Sequence, residues 1–487
     1  MKRTNLDPGG LAFPVILLIA AALRVVNIGG LSYWYDEVVS VRLAECPRLR
    51  DFPSLLDQID ATRAPLHPIL LRVWFAGFGR GEAQARLFSV VCDLLSIVFI
   101  GRIAGRIFGK QIALYSIWLA AISPNLVLHA RDARMYSLLT LFTCIVWDAL
   151  FAFREKKTLI RLLTLAVGQT ALAYSHPLGL IMIFAQAIAA PLLYRHDRVA
   201  IRLWLISELG VCLFVVPWLP RYFDHAPEYV IGPLPFKFLL GTPIGFVGGN
   251  SLTLILFGGA IAWGTWRYRK LWKEFFPLYC WYAIPPVFLY SYSKVFTPLF
   301  GPERYTLFVA PAFLILLAVG LIQLPRPARR ALALLQLVCA GSLLTANVYP
   351  PDRHADWRSA AHWIKLNEAD SALIVLTDDP KINHEAVVAR YYLRDAARIA
   401  TIREAPRFDD WKNAPNTLLV AVGLRDGKPI AEDFRPSRNV YRKRDAVLFP
   451  GLKITRYIRA IAPVISSEPA ASSPVRPSTK GALPQAR

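Results

Sequence analysis

The sequence predicts a polytopic α-helical membrane protein of about 11 transmembrane helices, followed by a small soluble α/β domain. Of its 487 residues, 55% are hydrophobic, and the mean hydropathy is +0.38. Apolar runs long enough to cross a hydrocarbon core of about 30 Å recur as far as about residue 350. Because the composition then becomes that of a soluble protein, the chain divides into two predicted domains, 1–349 and 350–463.

Eleven apolar segments supply the predicted spans. The first has a second interpretation as a cleaved secretory signal, because Lys2 and Arg3 precede it and Ala20-Ala21-Ala22 resembles a cleavage site. We favour an uncleaved anchor, and either interpretation leaves the later segments in place. Their approximate bounds are 11–29, 86–101, 111–128, 135–153, 162–175, 177–194, 203–220, 251–266, 275–293, 304–323 and 331–347.

Charge sets the predicted orientation. Lysines and arginines concentrate in five loops on one side of the membrane, and the positive-inside rule assigns that side to the cytoplasm. The loop 30–85 and everything after residue 349 then face outward, which in a bacterial inner membrane is the periplasm. These loops explain much of the net charge of +22, so nucleic acid is not a predicted partner. The five loops are 102–110, 154–161, 195–202, 267–273 and 326–330.

Two of the outer loops are long. The loop 30–85 alternates short apolar and polar pieces, which is typical of amphipathic helices lying along the membrane surface. The loop 221–250 is rich in Pro and Gly, and its stretch 232–235 predicts irregular backbone. We therefore interpret 221–250 as a candidate lid over a site at the outer face.

The region after residue 350 has its own pattern. Residues 372–377 and 417–422 have the composition of buried strands, and 383–393 predicts an intervening helix. This alternation predicts a small α/β domain with a partly parallel sheet. The tail 464–487, rich in Ser, Pro and Ala, is predicted to be disordered.

The spacing of cysteines and of other possible metal ligands predicts neither a disulfide framework nor a metal site. The six cysteines are scattered without paired spacing, which indicates neither disulfides nor a thiolate metal site. Two histidines and two carboxylates on the outer side have the chemistry of metal ligands but lack ligand spacing on one element. No metal site is therefore predicted, and a divalent cation is left open as a cofactor.

A short stretch just after the first span is the predicted chemical centre. Its aromatics, Tyr33, Trp34 and Tyr35, are typical of a span end in the headgroup layer. Asp36 and Glu37 follow them, and carboxylates at a membrane boundary lose favourable solvation unless they are paired or used. Consecutive side chains point in different directions, so we expect two different roles. The alternative is a plain acidic pair on the surface.

Arginines on the outer side break the charge rule. Arg131 and Arg134 share a helix face in a very short outer loop, and their planar donors suit one anionic group such as a phosphate. An internal pair with Asp132, or contact with lipid headgroups, is the alternative. Arg304, at the start of the tenth span, and Lys294 add positive charge on the same side.

Two outer histidines are also candidates. His67 is flanked by prolines, and His176 lies at the junction of two spans. Either one is placed to hydrogen-bond a sugar or a phosphate, and a structural hydrogen bond is the alternative. Aromatic residues in the outer loops suit sugar stacking and interface anchoring equally well.

The order of these motifs resembles glycosyltransferase superfamily C. Within that superfamily the sequence is most similar to the bacterial relatives of the protein O-mannosyltransferases and of the lipid A aminoarabinose transferase. The similarity covers about residues 15–350, and the soluble end matches loosely through Asp356-Trp357-Arg358. The motifs lie at 23–24, 31–37, 64–68, 131–136, 174–177 and 303–305.

The resemblance implies an inverting transfer of a sugar from a polyprenyl-phosphate carrier to a lipid, glycan or protein acceptor on the periplasmic side. It assigns the essential carboxylate to Asp36, and Glu37 would orient the acceptor or hold an arginine. A glycosyl phosphate already carries an anionic leaving group, so one base suffices without the general acid of a glycosidase. The resemblance and the motifs together give as candidate donor-phosphate residues Arg131, Arg134, Arg304 and Lys294, and as candidate substrate-binding residues Trp34, His67, Tyr136, His176 and Tyr305.

Two other functions are compatible with the residues alone. A lipid-linked-sugar flippase would use the same arginines in a conduction path, but transporters usually show internal repeats and polar residues near mid-membrane. A structural assembly partner docking through the C-terminal domain would leave Asp36 unexplained. The clustering of candidate residues at one face therefore favours an enzyme surrounded by membrane lipids.

Overall fold

The computed structural model describes residues 11–223, 233–296, 304–350, 354–368, 372–376, 384–394, 398–401, 416–425, 428–429 and 441–459. The predicted tail 464–487 and residues 224–232 of the predicted lid lie outside these ranges.

Helices occupy most of the described chain as far as Asn347. A 3-10 helix, Arg304–Val309, leads into the sixteenth of them. They are α1 Ala12–Val25, α2 Tyr35–Ala44, α3 Phe52–Ile59, α4 Leu66–Phe78, α5 Glu82–Phe108, α6 Lys110–Ala121, α7 Pro124–Ala130, α8 Tyr136–Glu155, α9 Leu159–Ser175, α10 Leu178–Leu193, α11 Arg198–Val215, α12 Leu219–Phe223, α13 Lys237–Val247, α14 Ser251–Arg267, α15 Trp272–Val295, α16 Ala310–Gln323 and α17 Arg326–Asn347.

The predicted class, a multi-pass helical membrane protein, is confirmed. Among the described residues, five helices are long and apolar enough to cross a membrane, and two bent pairs raise the number to seven. The count of about 11 spans stays a prediction. One bent pair, α6 and α7, turns by 58° at Ser123, whose backbone is extended because Pro124 follows it.

Part of the predicted lid is regular. The prediction that 221–250 is a loop is wrong for Lys237–Val247, which forms α13 with Pro243 inside it. An apolar helix tolerates a proline in a membrane protein because neighbouring segments satisfy the freed backbone groups. Gly248 ends the helix with a φ of 80°, a conformation that favours glycine. Residues 233–235 have no regular secondary structure, as predicted.

The centre of the helical region consists of α8 and α16. The apolar windows of these two spans are 89% and 94% buried, whereas that of α17 is 17% buried at the periphery. Small residues let α14 approach α16 closely: a Cβ added to Gly320 would lie 2.3 Å from the Ala260 oxygen. On the outer side of this core, Arg24 of α1 and Asp93 of α5 form a fully buried ion pair of 2.5 Å.

A mixed sheet follows the helices. Its described strands are β1 Ala372–Leu376, β2 Arg398–Thr401, β3 Thr417–Arg425, β4 Lys428–Pro429, β5 Tyr441–Phe449 and β6 Leu452–Arg459, with helices α18 Trp357–Asn367 and α19 His384–Leu393. The order is β2-β1-β3-β6-β5, with β4 beside β3. β1 is parallel to β2 and β3, whereas β6 is antiparallel to β3 and β5. The predicted strands, intervening helix and partly parallel sheet are thus confirmed.

The Asp356-Trp357-Arg358 motif fixes this region to the loop after α1. Ser32 Oγ donates a hydrogen bond of 2.7 Å to Asp356 Oδ1, and the backbone N–H of Arg358 donates to Ser32 Oγ at 3.1 Å. The guanidinium of Arg358 donates to the carbonyls of Gly29 and Gly30, each at 2.9 Å. The helical and sheet regions therefore meet beside the stretch that carries Asp36.

Candidate active site

The two acidic residues begin α2. Asp36 and Glu37 lie in its first turn, where the partial positive charge of the helix N-terminus favours carboxylates. The backbone N–H of Trp34 donates to Glu37 Oε2 at 3.3 Å. The Glu37 carboxylate is thereby turned into the protein, whereas the Asp36 carboxylate is partly exposed and contacts Arg304.

Glu37 is fully buried and saturated with partners. Arg86 of α5 donates to both its oxygens, Nε to Oε1 at 2.8 Å and Nη2 to Oε2 at 2.7 Å. The backbone N–H of Ala133 donates to Oε1 at 2.8 Å. The same guanidinium donates to the carbonyls of Ile28, Leu31 and Ser32. Of the two roles predicted for Glu37, holding an arginine is therefore the one that its contacts support.

Among the described residues, the Asp36 side chain has a single hydrogen-bond partner. Arg304 Nη1 donates to Asp36 Oδ2 at 2.6 Å, and the side chains are 33% and 16% exposed, respectively. Three rings surround the guanidinium carbon of Arg304, with centroids 5.5 Å away for Trp34, 5.9 Å for Tyr136 and 5.2 Å for Tyr305. Asp36 Oδ1 accepts no hydrogen bond from any described residue, so one carboxylate oxygen keeps its full accepting capacity.

Arg134 contacts the first two turns of α2. Its Nη1 donates to the Asp36 carbonyl and to Ser40 Oγ, both at 3.0 Å. Burial alone would lower the pKa of Arg134, but the nearby charges of Asp36 and Asp60 hold the pKa above its usual value. Its Nε is buried and makes no hydrogen bond within the described chain. A charged donor beside Asp36 is therefore left with an unused N–H.

Arg131 points elsewhere. Its Nη1 donates to the carbonyls of Arg24 and Val26 at 2.9 and 2.7 Å, at the C-terminal end of α1. Its guanidinium also lies 5.0 Å from the ring centroid of Tyr349. The structure thus separates Arg131 from Arg134, and these contacts of Arg131 join α1 to the segment after α17.

An aromatic cluster lines the Arg304 side of the site. Tyr136 and Tyr305 meet edge to face with centroids 5.8 Å apart, and His176 lies 5.9 Å from Tyr305. His176 occupies the turn between α9 and α10, where burial and then the charges of Arg134 and Arg304 lower its pKa to about 3. It is therefore a neutral ring at physiological pH, and its Nδ1 accepts from the Leu178 N–H at 3.1 Å.

The other contacts of Trp34, and those of His67 and Lys294, differ from one another. Trp34 stacks on His354 at 5.5 Å, and its buried Nε1 has no partner among described residues. His67 is buried on α4 against Phe88, and its Nε2 is similarly unpaired in the described chain. Lys294 is exposed at the end of α15 over the Tyr290 ring, and no described contact joins it to the Asp36 cluster.

Sequence reasoning missed two residues of this site. Arg86, the partner of Glu37, had a usable signal, because it is another arginine at the outer end of an apolar segment. Asp60 is 6% exposed and accepts hydrogen bonds from the Thr62 N–H and hydroxyl at about 3 Å. Burial raises the pKa of Asp60, and the charge of Arg134 opposes that shift. No sequence signal marks Asp60, since an acidic residue in a loop ordinarily faces water.

The cluster has the chemistry to bind an anionic group and to accept a proton. Asp36 lies between one arginine that touches its carboxylate and another that touches its backbone. Aromatic rings surround the first arginine, which reduces its exposure to water and strengthens its charge interactions. In the described part of the chain, no three His, Cys, Asp or Glu side chains are grouped to hold a metal ion.

Comparison with known proteins supports the predicted family. Residues 62–220 match the family model described as dolichyl-phosphate-mannose-protein mannosyltransferase. That segment contains His67, Arg86, Arg134 and His176, while Asp36 and Arg304 lie outside it. No curated protein sequence matches the chain.

Solved structures share the fold. ArnT from Cupriavidus metallidurans bound to undecaprenyl phosphate is 15% identical over 91% of this chain and 97% of that chain, with a TM-score of 0.57. The archaeal oligosaccharyltransferase AglB from Archaeoglobus fulgidus, in complex with an inhibitory peptide and a dolichol-phosphate, is 12% identical over 84% and 69%, with a TM-score of 0.51. The resemblance to glycosyltransferase superfamily C is therefore confirmed, and the chain has an ArnT-like fold.

Proposed function

We propose that this protein is a membrane glycosyltransferase that moves a sugar from a polyprenyl-phosphate carrier to an acceptor hydroxyl, with inversion and with Asp36 as the base. The observation that carries the proposal is the 2.6 Å contact between Asp36 and Arg304, with Arg134 beneath the same turn. The proposal is supported by ArnT and AglB, whose structures hold undecaprenyl phosphate and dolichol-phosphate.

Asp36 accepts the proton of the attacking hydroxyl. Its free oxygen, Oδ1, takes that proton as the acceptor oxygen bonds to the anomeric carbon, while Arg304 holds Oδ2 and orients the carboxylate. The bond between the anomeric carbon and the phosphate oxygen breaks at the same time, and the electron pair leaves with the phosphate. Attack opposite to the leaving group inverts the anomeric centre.

The arginines stabilise the departing phosphate. Arg134 Nε is a buried cationic donor without a described partner, and leaving such a donor unpaired costs about 1–3 kcal/mol. A phosphate oxygen would satisfy it. Arg304 lies close enough to share its remaining donors with the same group. One well-placed donor of this kind lowers the barrier by about 3–4 kcal/mol.

The remaining predicted residues shape the sugar site. We assign Trp34, Tyr136 and Tyr305 to substrate binding, because their rings surround Arg304. We add His67 and His176, because burial and then the charge of Arg134 lower the pKa of each to about 3 and keep both rings neutral beside the site. Arg131, Lys294 and Glu37 receive supporting roles, since their described contacts lie outside the space beside Asp36 Oδ1.

Topology follows from the same proposal. We place the protein in a bacterial inner membrane with 11 spans, made up of the five long helices, the two bent pairs and α1, α9, α10 and α15. The α/β domain of residues 350–463 then faces the periplasm together with the Asp36 site. Alkaline phosphatase fused to the C-terminus should be active, and an inactive fusion that is stably expressed would reverse this orientation.

The reaction is tested by following release of polyprenyl phosphate. Purified protein is incubated with a panel of polyprenyl-phosphate sugars, in wild type and Asp36→Asn side by side. We expect release with one donor sugar in wild type only. Folded wild-type protein that releases nothing with any donor would contradict the proposal.

One observation favours a flippase as the second candidate. Gln169 Nε2 donates to Gln186 Oε1 at 3.0 Å and to Glu208 Oε1 at 2.9 Å, joining the middles of α9, α10 and α11. Polar residues at this depth are typical of transport paths. Movement of a lipid-linked sugar across liposomes, lost in Glu208→Leu and kept in Asp36→Asn, would favour the flippase.

A further inference from the structure

A second site lies at the other end of α2. A cavity of about 430 Å³ opens between the C-terminal end of α2 and α19. Arg42 and Glu45 line it from the first side, and Arg390, Tyr391 and Arg394 from the second. We call it the Arg42 cavity. It lies within the size range of ligand pockets, which is about 300–1,000 Å³.

The charge of the Arg42 cavity is unbalanced. Three guanidinium groups face it against the single carboxylate of Glu45. Arg42, Arg390 and Arg394 are exposed, and none of their three guanidinium groups forms a hydrogen bond or ion pair with another described residue. Arg390 lies in the last turn of α19 and Arg394 is the first residue after the helix, and both line the same cavity. An anion between these two like charges would reduce their repulsion.

The backbone adds a second observation. Arg394 has a φ of 52°, the left-handed conformation that glycine usually supplies after a helix. Its N–H closes the helix by donating to the Arg390 carbonyl at 3.0 Å. Non-glycine residues in this conformation are strained, and such residues cluster at binding sites.

We propose that the Arg42 cavity binds an oxyanion, a phosphate or carboxylate group carried by the acceptor substrate. The forked donors of arginine match both groups. The position in the fold connects the cavity to the chemistry, because Asp36 and Arg42 are six residues apart on α2, or about 9 Å along the axis. An acceptor of a few sugar units would reach from the cavity to Asp36.

The walls suit the rest of such a ligand. Leu55 and Val387 provide apolar surface, and the Tyr391 ring offers a stacking face for a sugar. The acceptor part of this inference rests on the proposed function, whereas the oxyanion site itself does not.

Arginine modification in the wild-type protein tests the site directly. Full-length protein in detergent, with polyprenyl phosphate added to fill the Asp36 site, is treated with phenylglyoxal with and without inorganic phosphate. We expect phosphate to slow modification of Arg42, Arg390 and Arg394 about fivefold or more, measured by peptide mass spectrometry. Arg442 on β5, exposed and remote from the cavity, is the internal control. Equal rates with and without phosphate would overturn the site.

The source of the oxyanion is tested in nanodiscs. The same measurement compares neutral phosphatidylcholine with a mixture containing phosphatidylglycerol, each with no addition, with inorganic phosphate and with a phosphorylated sugar. Protection that appears only with added phosphate or a phosphorylated sugar supports an acceptor group. Protection by phosphatidylglycerol alone makes the site a lipid-headgroup site and overturns the acceptor assignment.

Variants then separate this inference from the reaction. The double variant R390Q/R394Q should lose the protection of Arg42, and R442Q should keep it. Release of polyprenyl phosphate is measured on the same preparations. If phosphate protects the arginines but no polyprenyl phosphate is released, the proposed reaction is wrong and the oxyanion site is supported. If polyprenyl phosphate is released but phosphate gives no protection, the oxyanion site is wrong and the reaction is supported.

Discussion

Two adjacent carboxylates in one helical turn have opposite surroundings. Glu37 is fully buried, with both oxygens bonded to Arg86 and one also to a backbone N–H. Asp36 is partly exposed, with one oxygen bonded to Arg304 and the other without a partner among the described residues. A carboxylate whose lone pairs are all used holds structure, whereas one with a spare oxygen can accept a proton. The arginines repeat this contrast, since Arg131 binds carbonyls and Arg134 keeps an unused N–H.

The largest expected effect is on turnover in Asp36→Asn. Removing a general base lowers the rate by about 10²–10⁴-fold. Thermal stability should change far less than turnover, because the amide oxygen of an asparagine can still accept the hydrogen bond from Arg304. Asp57→Asn is the matched control, since Asp57 lies in the same loop as Asp36, 30–85, and also pairs with an arginine, Arg221 of α12. If Asp36→Asn turned over normally in a purified assay, the base assignment would be lost.

Glu37→Gln should act on stability instead. Breaking a buried ion pair leaves Arg86 uncompensated and costs about 3–5 kcal/mol. We expect a clear drop in the thermal midpoint of the detergent-purified protein. The double variant E37L/R86M removes both charges and should recover part of that loss. An unchanged midpoint together with lost turnover would instead give Glu37 a chemical role.

The arginine contrast is tested by donor kinetics. Arg304→Gln and Arg134→Gln should lower kcat/KM for the donor by about 10²–10³-fold, as expected for lost donors to a developing oxyanion. Arg131→Gln should change donor kinetics less than about threefold. It should instead lower stability by about 1.5–3 kcal/mol, because its hydrogen bonds to α1 are charge-assisted. Unchanged donor kinetics in Arg134→Gln would return Arg134 to a structural role.

Sequence periodicity and composition predicted the helical region and the partly parallel sheet, because both depend on local sequence. They did not predict α13, since its Pro243 and neighbouring glycines are typical of loops, and only the surrounding helices make a helix favourable there. The separate directions of Asp36 and Glu37 were expected from their adjacency. Which one is buried was not, because that depends on Arg86, 49 residues away along the chain.

The same limit applies to the basic residues. Arg131 and Arg134 are three residues apart, and the sequence therefore predicted that both bind one phosphate. The turn after α7 directs one toward α1 and the other toward α2, a choice fixed by tertiary packing. The sequence did not predict that Asp60 is buried, because acidic residues in loops ordinarily face water.

The smallest expected effect concerns His176, which should act as a neutral ring. Its folded pKa of about 3 lies below the unfolded value of 6.5, because burial and then the charges of Arg134 and Arg304 disfavour the proton. Between these values the unfolded chain binds more protons, so stability falls as pH decreases from about 6.5 toward 3. The thermal midpoint of wild type should therefore drop more between pH 7 and pH 5 than that of His176→Gln. Identical drops would mean that folded His176 can take up a proton, and that the rings of Tyr136 and Tyr305 beside it do not keep water from it.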